Sequence, residues 1–114
     1  MLIPFSIFAH SAGEDNTVVI HMTEAGYEPQ DVEIFIGSTV IFESVTGGHW
    51  PASNIHPTHR AYPGSDIMKC GTDKEDGVFD SCRDLKSGET FSFTFNKVGV
   101  WRYHDHSSPN MKGK

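Results

Sequence analysis

An all-β sandwich or barrel is the fold class the sequence predicts. Three observations carry it: short runs rich in Val, Ile and Phe with period-2 alternation, turn residues between those runs, and no stretch with the periodicity of an amphipathic helix. At 114 residues the chain fits one domain, and a domain of that size buries a core without needing a metal to hold it.

The first strand is Thr17-Val18-Val19-Ile20-His21-Met22, mostly β-branched or apolar. Gly26, Pro29 and Gln30-Asp31 break the pattern before a second strand, Val32-Glu33-Ile34-Phe35-Ile36. Gly37-Ser38 then reads as a two-residue turn into Thr39-Val40-Ile41-Phe42-Glu43-Ser44, so the second and third runs are predicted to pair as a hairpin. After Thr46-Gly47-Gly48, the segment His49-Trp50-Pro51-Ala52-Ser53 makes a short strand. Pro51 confines it to an edge or a bulge, because proline cannot donate to the ladder.

Residues 54–87 show neither helical nor strand periodicity, hold five of the eight aspartates and form one long excursion. Its two cysteines, Cys70 and Cys82, lie close in sequence without the C-x-x-C spacing of a redox motif. They are read as a disulfide that pins the loop, as expected of an exported domain. Thr90-Phe91-Ser92-Phe93-Thr94-Phe95 is the clearest half-buried strand, with phenylalanine at every second place. The last run, Val100 to His106, sends Trp101, Tyr103 and Asp105 to one face and Arg102, His104 and His106 to the other.

The two termini carry expectations of their own. Leu2-Ile3-Pro4-Phe5-Ser6-Ile7-Phe8-Ala9 followed by Ala9-His10-Ser11 reads either as the remnant of a secretion signal or as a tail, so residues 1–15 are set apart from a domain at 16–114. Nine basic against fifteen acidic residues give a net charge of −6, with no basic cluster interleaved with aromatics, which argues against a nucleic-acid partner. No apolar run reaches the length needed to span a bilayer as a helix.

Chemistry is concentrated in the histidines, of which the chain has seven. His104 and His106 alternate on one strand and so share a face, half of a ready-made copper or zinc site. His56-Pro57-Thr58-His59 is a spacing that places two ligands on one turn, and His49 opens the short strand before it. The candidate ligands are therefore His49, His104, His106, His59 and His56. Asp105 is either a direct ligand or a carboxylate that orients an imidazole N–H, with the second role favoured. Imidazoles with a carboxylate and no thiolate suit Cu(II) or Zn(II), and the Irving–Williams order favours copper. Because ligation needs neutral imidazoles, binding is expected to weaken below about pH 6.5.

Gly26-Tyr27-Glu28-Pro29, the run from Val32 to Phe42, the histidine that follows a short loop, and the ending Gly99-Val100-Trp101-Arg102-Tyr103-His104-Asp105-His106 together resemble the cupredoxins. The resemblance implies a Greek-key β-sandwich with metal ligands gathered at one end. His49 falls on the family's first histidine, and Met111 stands near the place of its axial methionine. The place of the copper-binding cysteine falls on Asp105, which disfavours a type 1 electron-transfer centre. The family also closes with a strand after the ligand loop, and here that strand is expected to begin near Met111 and be cut short by the end of the sequence.

The pair itself is also similar to the first domain of multicopper oxidases, where aromatic-His-x-His and His-Trp segments bind a copper cluster. Tyr103-His104-Asp105-His106 and His49-Trp50 match those segments, while Pro51 replaces the histidine that should follow Trp50. By that analogy a homo-oligomer could complete a site. The functional expectation is an extracytoplasmic copper-binding domain that holds copper or transfers it to a partner protein. The alternatives are a small copper oxidoreductase or electron carrier with a redox partner, and an envelope module whose metal site is dead.

Overall fold

The structure is a computed structural model that describes residues 16–114. The reading of residues 1–15 as a tail or signal remnant lies outside the described residues. The strands are β1 (Thr17–Thr23), β2 (Gly26–Glu28), β3 (Thr39–Ser44), β4 (Pro51–Ser53), β5 (Thr90–Thr94), β6 (Tyr103–Asp105) and β7 (Ser108–Gly113). They form a four-stranded sheet in the order β2-β1-β3-β5 and a three-stranded sheet in the order β4-β6-β7. The protein is the all-β sandwich the patterning predicts.

Alternation decides which side chains meet between the sheets. In β1, Ile20 and Met22 are buried while His21 points outward and reaches Glu43 on β3 at 3.3 Å. In β3, Val40 and Phe42 turn inward, and Phe93 does so from β5. Tyr103 of β6 closes the same cluster, with its ring edge-on to Phe42 at 5.3 Å and to Tyr27 at 4.8 Å. Edge-to-face rings suit the aromatic quadrupole, and this core is built largely of such contacts.

The hairpin expected between residues 32–36 and β3 does not form. β1 lies parallel to β3 instead, in register from Thr17↔Thr39 to Met22↔Ser44, and β5 takes the other edge. With both edges of β3 occupied, residues 32–36 have no ladder to join. They cross the open side of the core, where Val32 and Ile34 pack against the cluster and the Val32 N–H donates to the Lys114 carbonyl.

The short fourth strand is found as expected, at the edge of its sheet and beginning with Pro51. The last predicted strand is shorter than the pattern implied, because pairing covers only Tyr103–Asp105. Ser108–Gly113 follows as β7, antiparallel to β6 with a register irregularity between His104 and Asp105. Strand structure therefore starts three residues before the Met111 at which the closing strand was expected to begin.

The excursion is held at two points. Cys70 and Cys82 form a disulfide across a sequence separation of 12. Phe79 lies in the core with no exposed surface and stacks on Phe93 at 5.1 Å, while Ala52 and Asp80 form a bridge between the loop and β4. Single-turn 3-10 helices at Ile67–Lys69 and Glu75–Gly77 are its only helical pieces. Among the described residues no helix is long and apolar enough to cross a membrane.

Candidate metal centre

Four of the six candidate ligands come together. His56, His59, His104 and His106 each offer one ligand atom, and these atoms all lie within 4.8 Å of one another. His104 reaches the group from the middle of β6 and His106 from the residue just beyond it, on the face opposite Tyr103 and Asp105. His56 and His59 come from the first turn of the excursion, folded back by the His59 N–H donating to the Ile55 carbonyl at 2.7 Å and the Ala61 N–H donating to the Asn54 carbonyl at 2.7 Å. His59 sits at φ +60°, a left-handed conformation that costs a non-glycine residue about 1–2 kcal/mol and so marks a place the surroundings over-determine.

Hydrogen bonding sets which imidazole nitrogens remain available. His104 Nδ1–H donates to the Asn54 amide oxygen at 2.9 Å, which leaves Nε2 unprotonated. That nitrogen is buried and has no hydrogen-bond partner. A buried acceptor without a donor is costly unless something else occupies its lone pair. His59 Nδ1–H donates to Asp80 Oδ2 at 2.6 Å, and His59 Nε2 in turn accepts from His106 Nδ1–H at 3.0 Å. The His106 ring lies against the Trp50 indole, with centroids 4.6 Å apart. His56 is the exposed member, 4.8 Å from His106 and 5.3 Å from His104 between ring centroids, so it stands at the mouth of the group.

Electrostatics keeps two of these rings, His104 and His106, neutral. Burial, reinforced by His59, His56 and His106, lowers the His104 pKa to about 4. His106 is lowered as well, first by burial and then by His59 and His56, with Asp80 and Asp84 opposing. Both are thus held with a free lone pair at neutral pH, the form a transition metal needs.

His49 and Asp105 stand apart from the group and satisfy each other. His49 Nδ1–H donates to Asp105 Oδ2 at 2.7 Å, and its Nε2 accepts from the Thr46 hydroxyl at 2.9 Å, so both ring nitrogens are engaged. The other oxygen of Asp105 accepts the backbone N–H groups of Trp50 at 2.9 Å and Ser107 at 3.0 Å. Asp105, the position to which the resemblance to the cupredoxins assigns a cysteine, orients an imidazole. Sequence reasoning missed Asp80, Asn54 and Trp50. The apolar pair Val78-Phe79, isolated in a polar loop, was a signal that the chain re-enters the core beside Asp80; nothing in the sequence marked Asn54.

No family model and no curated protein matches the chain. Solved structures do. The chain is similar to a Cu-containing nitrite reductase from Thermus scotoductus SA-01, at a TM-score of 0.62 and 22% identity over 95% of this chain and 25% of that one. It is also similar to a purple cupredoxin from Nitrosopumilus maritimus, at a TM-score of 0.58 and 24% identity over 84% of this chain and 94% of that one. With amicyanin from Paracoccus versutus the TM-score is 0.57 at 18% identity, over 92% and 82%. The chain therefore has the cupredoxin fold. It spans about a quarter of the nitrite reductase and most of each small cupredoxin.

Proposed function

From this fold and the histidine cluster, we propose that the protein is an extracytoplasmic copper-binding module whose site is His56, His59, His104 and His106. The observation that carries the reading is the four imidazoles brought within 4.8 Å, one of them presenting a buried lone pair with no hydrogen-bond partner. The donor set is all nitrogen, since the described cysteines are both in the disulfide. Imidazole donors suit copper and zinc alike, and copper is the tighter binder of the two. Bound copper would supply a cationic centre able to exist as Cu(II) or Cu(I). His59 and His104 would hold it from the buried side, and exposed His56 would be the ligand most easily exchanged with a receiving protein.

All four histidines belong to one chain, so this site needs no second copy. The disulfide supports a location outside the reducing cytoplasm. A redox role is the second reading, suggested by likeness in fold to a copper-containing nitrite reductase and to the Cu(I) form of an amicyanin mutant. Fold alone does not choose between the two.

Reconstitution with Cu(II), followed by metal analysis and EPR, tests the proposal. Stoichiometric copper with nitrogen coupling and no intense thiolate band is expected. It should be lost in His104→Ala/His106→Ala and kept in His49→Ala. Failure of the wild-type protein to retain copper, or retention indifferent to the double substitution, overturns it. A reversible Cu(II)/Cu(I) couple with rapid electron exchange would move the function to the redox reading.

A further inference from the structure

We propose that Asp80 is the positioning residue of the histidine cluster, fixing the His59 tautomer directly and the His106 ring through Trp50. The inference rests on the cluster being the metal site. Asp80 is 2% exposed, and both of its carboxylate oxygens are committed. Oδ2 accepts His59 Nδ1–H at 2.6 Å. Oδ1 accepts the Trp50 indole N–H at 2.6 Å and the Cys82 backbone N–H at 2.8 Å. Two donors from distant parts of the chain, Trp50 and His59, thus converge with the nearby Cys82 N–H on one buried side chain, whose backbone is tied to β4 by the bridge to Ala52.

The chemistry follows from what a carboxylate can do. An ionised carboxylate accepts hydrogen bonds and donates none, so the single proton of a neutral His59 ring must sit on Nδ1. The lone pair is then on Nε2, the atom 3.0 Å from His106 Nδ1 within the cluster. A carboxylate behind an imidazole also raises its basicity as a ligand. The other oxygen, Oδ1, holds the Trp50 ring edge, and the His106 ring lies tilted against that indole at 4.6 Å between centroids. Neither of the other two supports does this work. Asp105 performs the equivalent orientation for His49, outside the group, and His104 is oriented by the neutral amide of Asn54.

Asp80→Asn separates orientation from scaffolding. The amide oxygen can still accept from Trp50 and Cys82, whereas its NH2 group would face His59 Nδ1 and drive the ring proton to Nε2. That change replaces the lone pair in the cluster with an N–H.

The experiment reads tautomers by 15N NMR in the metal-free protein labelled at histidine, and Cu(II) affinity by competition with a chelator. His59 should be protonated on Nδ1 in the wild-type protein and on Nε2 in Asp80→Asn, with Cu(II) affinity reduced about 10–100-fold in the variant. A wild-type His59 protonated on Nε2, or a variant with tautomer and affinity unchanged, overturns the role of Asp80 and leaves the copper reading standing. The expected tautomers with no Cu(II) bound by the wild-type protein overturn the copper reading and the role of Asp80 toward a metal with it. Should Asp80→Asn not fold, the wild-type tautomer decides alone.

Discussion

At the scale of single residues, His104 shows how far tertiary surroundings move an ordinary group. Its place on an alternating strand identified it as a candidate, but its neutrality comes from burial and three neighbouring imidazoles, which lower its pKa to about 4. An unfolded histidine titrates near 6.5. Between about pH 6.5 and 4 the unfolded chain therefore binds a proton that the folded protein refuses at this position, and stability must rise with pH across that window. The metal-free protein is expected to lose melting temperature as pH falls from 6.5, with His104 contributing at most about 1.4 kcal/mol per pH unit, and to level off near 4. Thermal unfolding of wild-type and His104→Ala proteins at a series of pH values checks this, and identical pH profiles for the two would refute it. The same shift means that Cu(II) binding should hold below pH 6.5 better than free imidazoles would allow.

At the scale of elements, the site is a junction of β4, β6 and the excursion. The β4 and β6 register Ala52↔His104 sets the depth of His104, and the excursion supplies His56 and His59. A disulfide between Cys70 and Cys82 limits the unfolded freedom of that loop. For a loop of this size the chain-entropy model gives about 3 kcal/mol. Reduction by a dithiol, or Cys70→Ser/Cys82→Ser, should accordingly lower the melting temperature by several degrees; no change would show that core contacts alone hold the loop. Most strands were readable from alternation at this scale, but residues 32–36 form none, β2 falls in the segment read as a turn, and strand pairing was not readable. The Gly37-Ser38 turn pointed to a hairpin between 32–36 and β3, whereas β1, with six residues in parallel register, took that edge. Local turn chemistry lost to a longer non-local ladder that buries Ile20 and Met22.

For the whole molecule, the loop and the sandwich are one cooperative unit, because Phe79 of the excursion lies at the centre of the aromatic core. It touches Phe42, Phe93, Phe95 and Tyr103 at centroid distances of 5.8, 5.1, 5.0 and 5.8 Å. Phe79→Ala should cost about 3–5 kcal/mol, a large part of a small domain's stability. Chemical denaturation would measure it, and a loss under 1 kcal/mol would mean the loop packs independently of the sandwich. Phe79 falls between Asp76-Gly77 and Asp80 in a polar stretch, where the Val78-Phe79 pair marks a return to the core but only the folded chain shows which rings it meets.

By itself the sequence determined the all-β class, the half-buried character of β5, the disulfide, and the alternating histidine pair at the end of β6. Each of these is written in local alternation or spacing, which a single segment carries without reference to the rest. Tertiary structure alone decided that His56 and His59 join that pair, that His49 is drawn off to Asp105, and that Asp80 stands behind the group. Those choices depend on which side chains distant in sequence arrive within 3 Å of one another, and that is settled by packing across the sandwich rather than by any pattern along the chain.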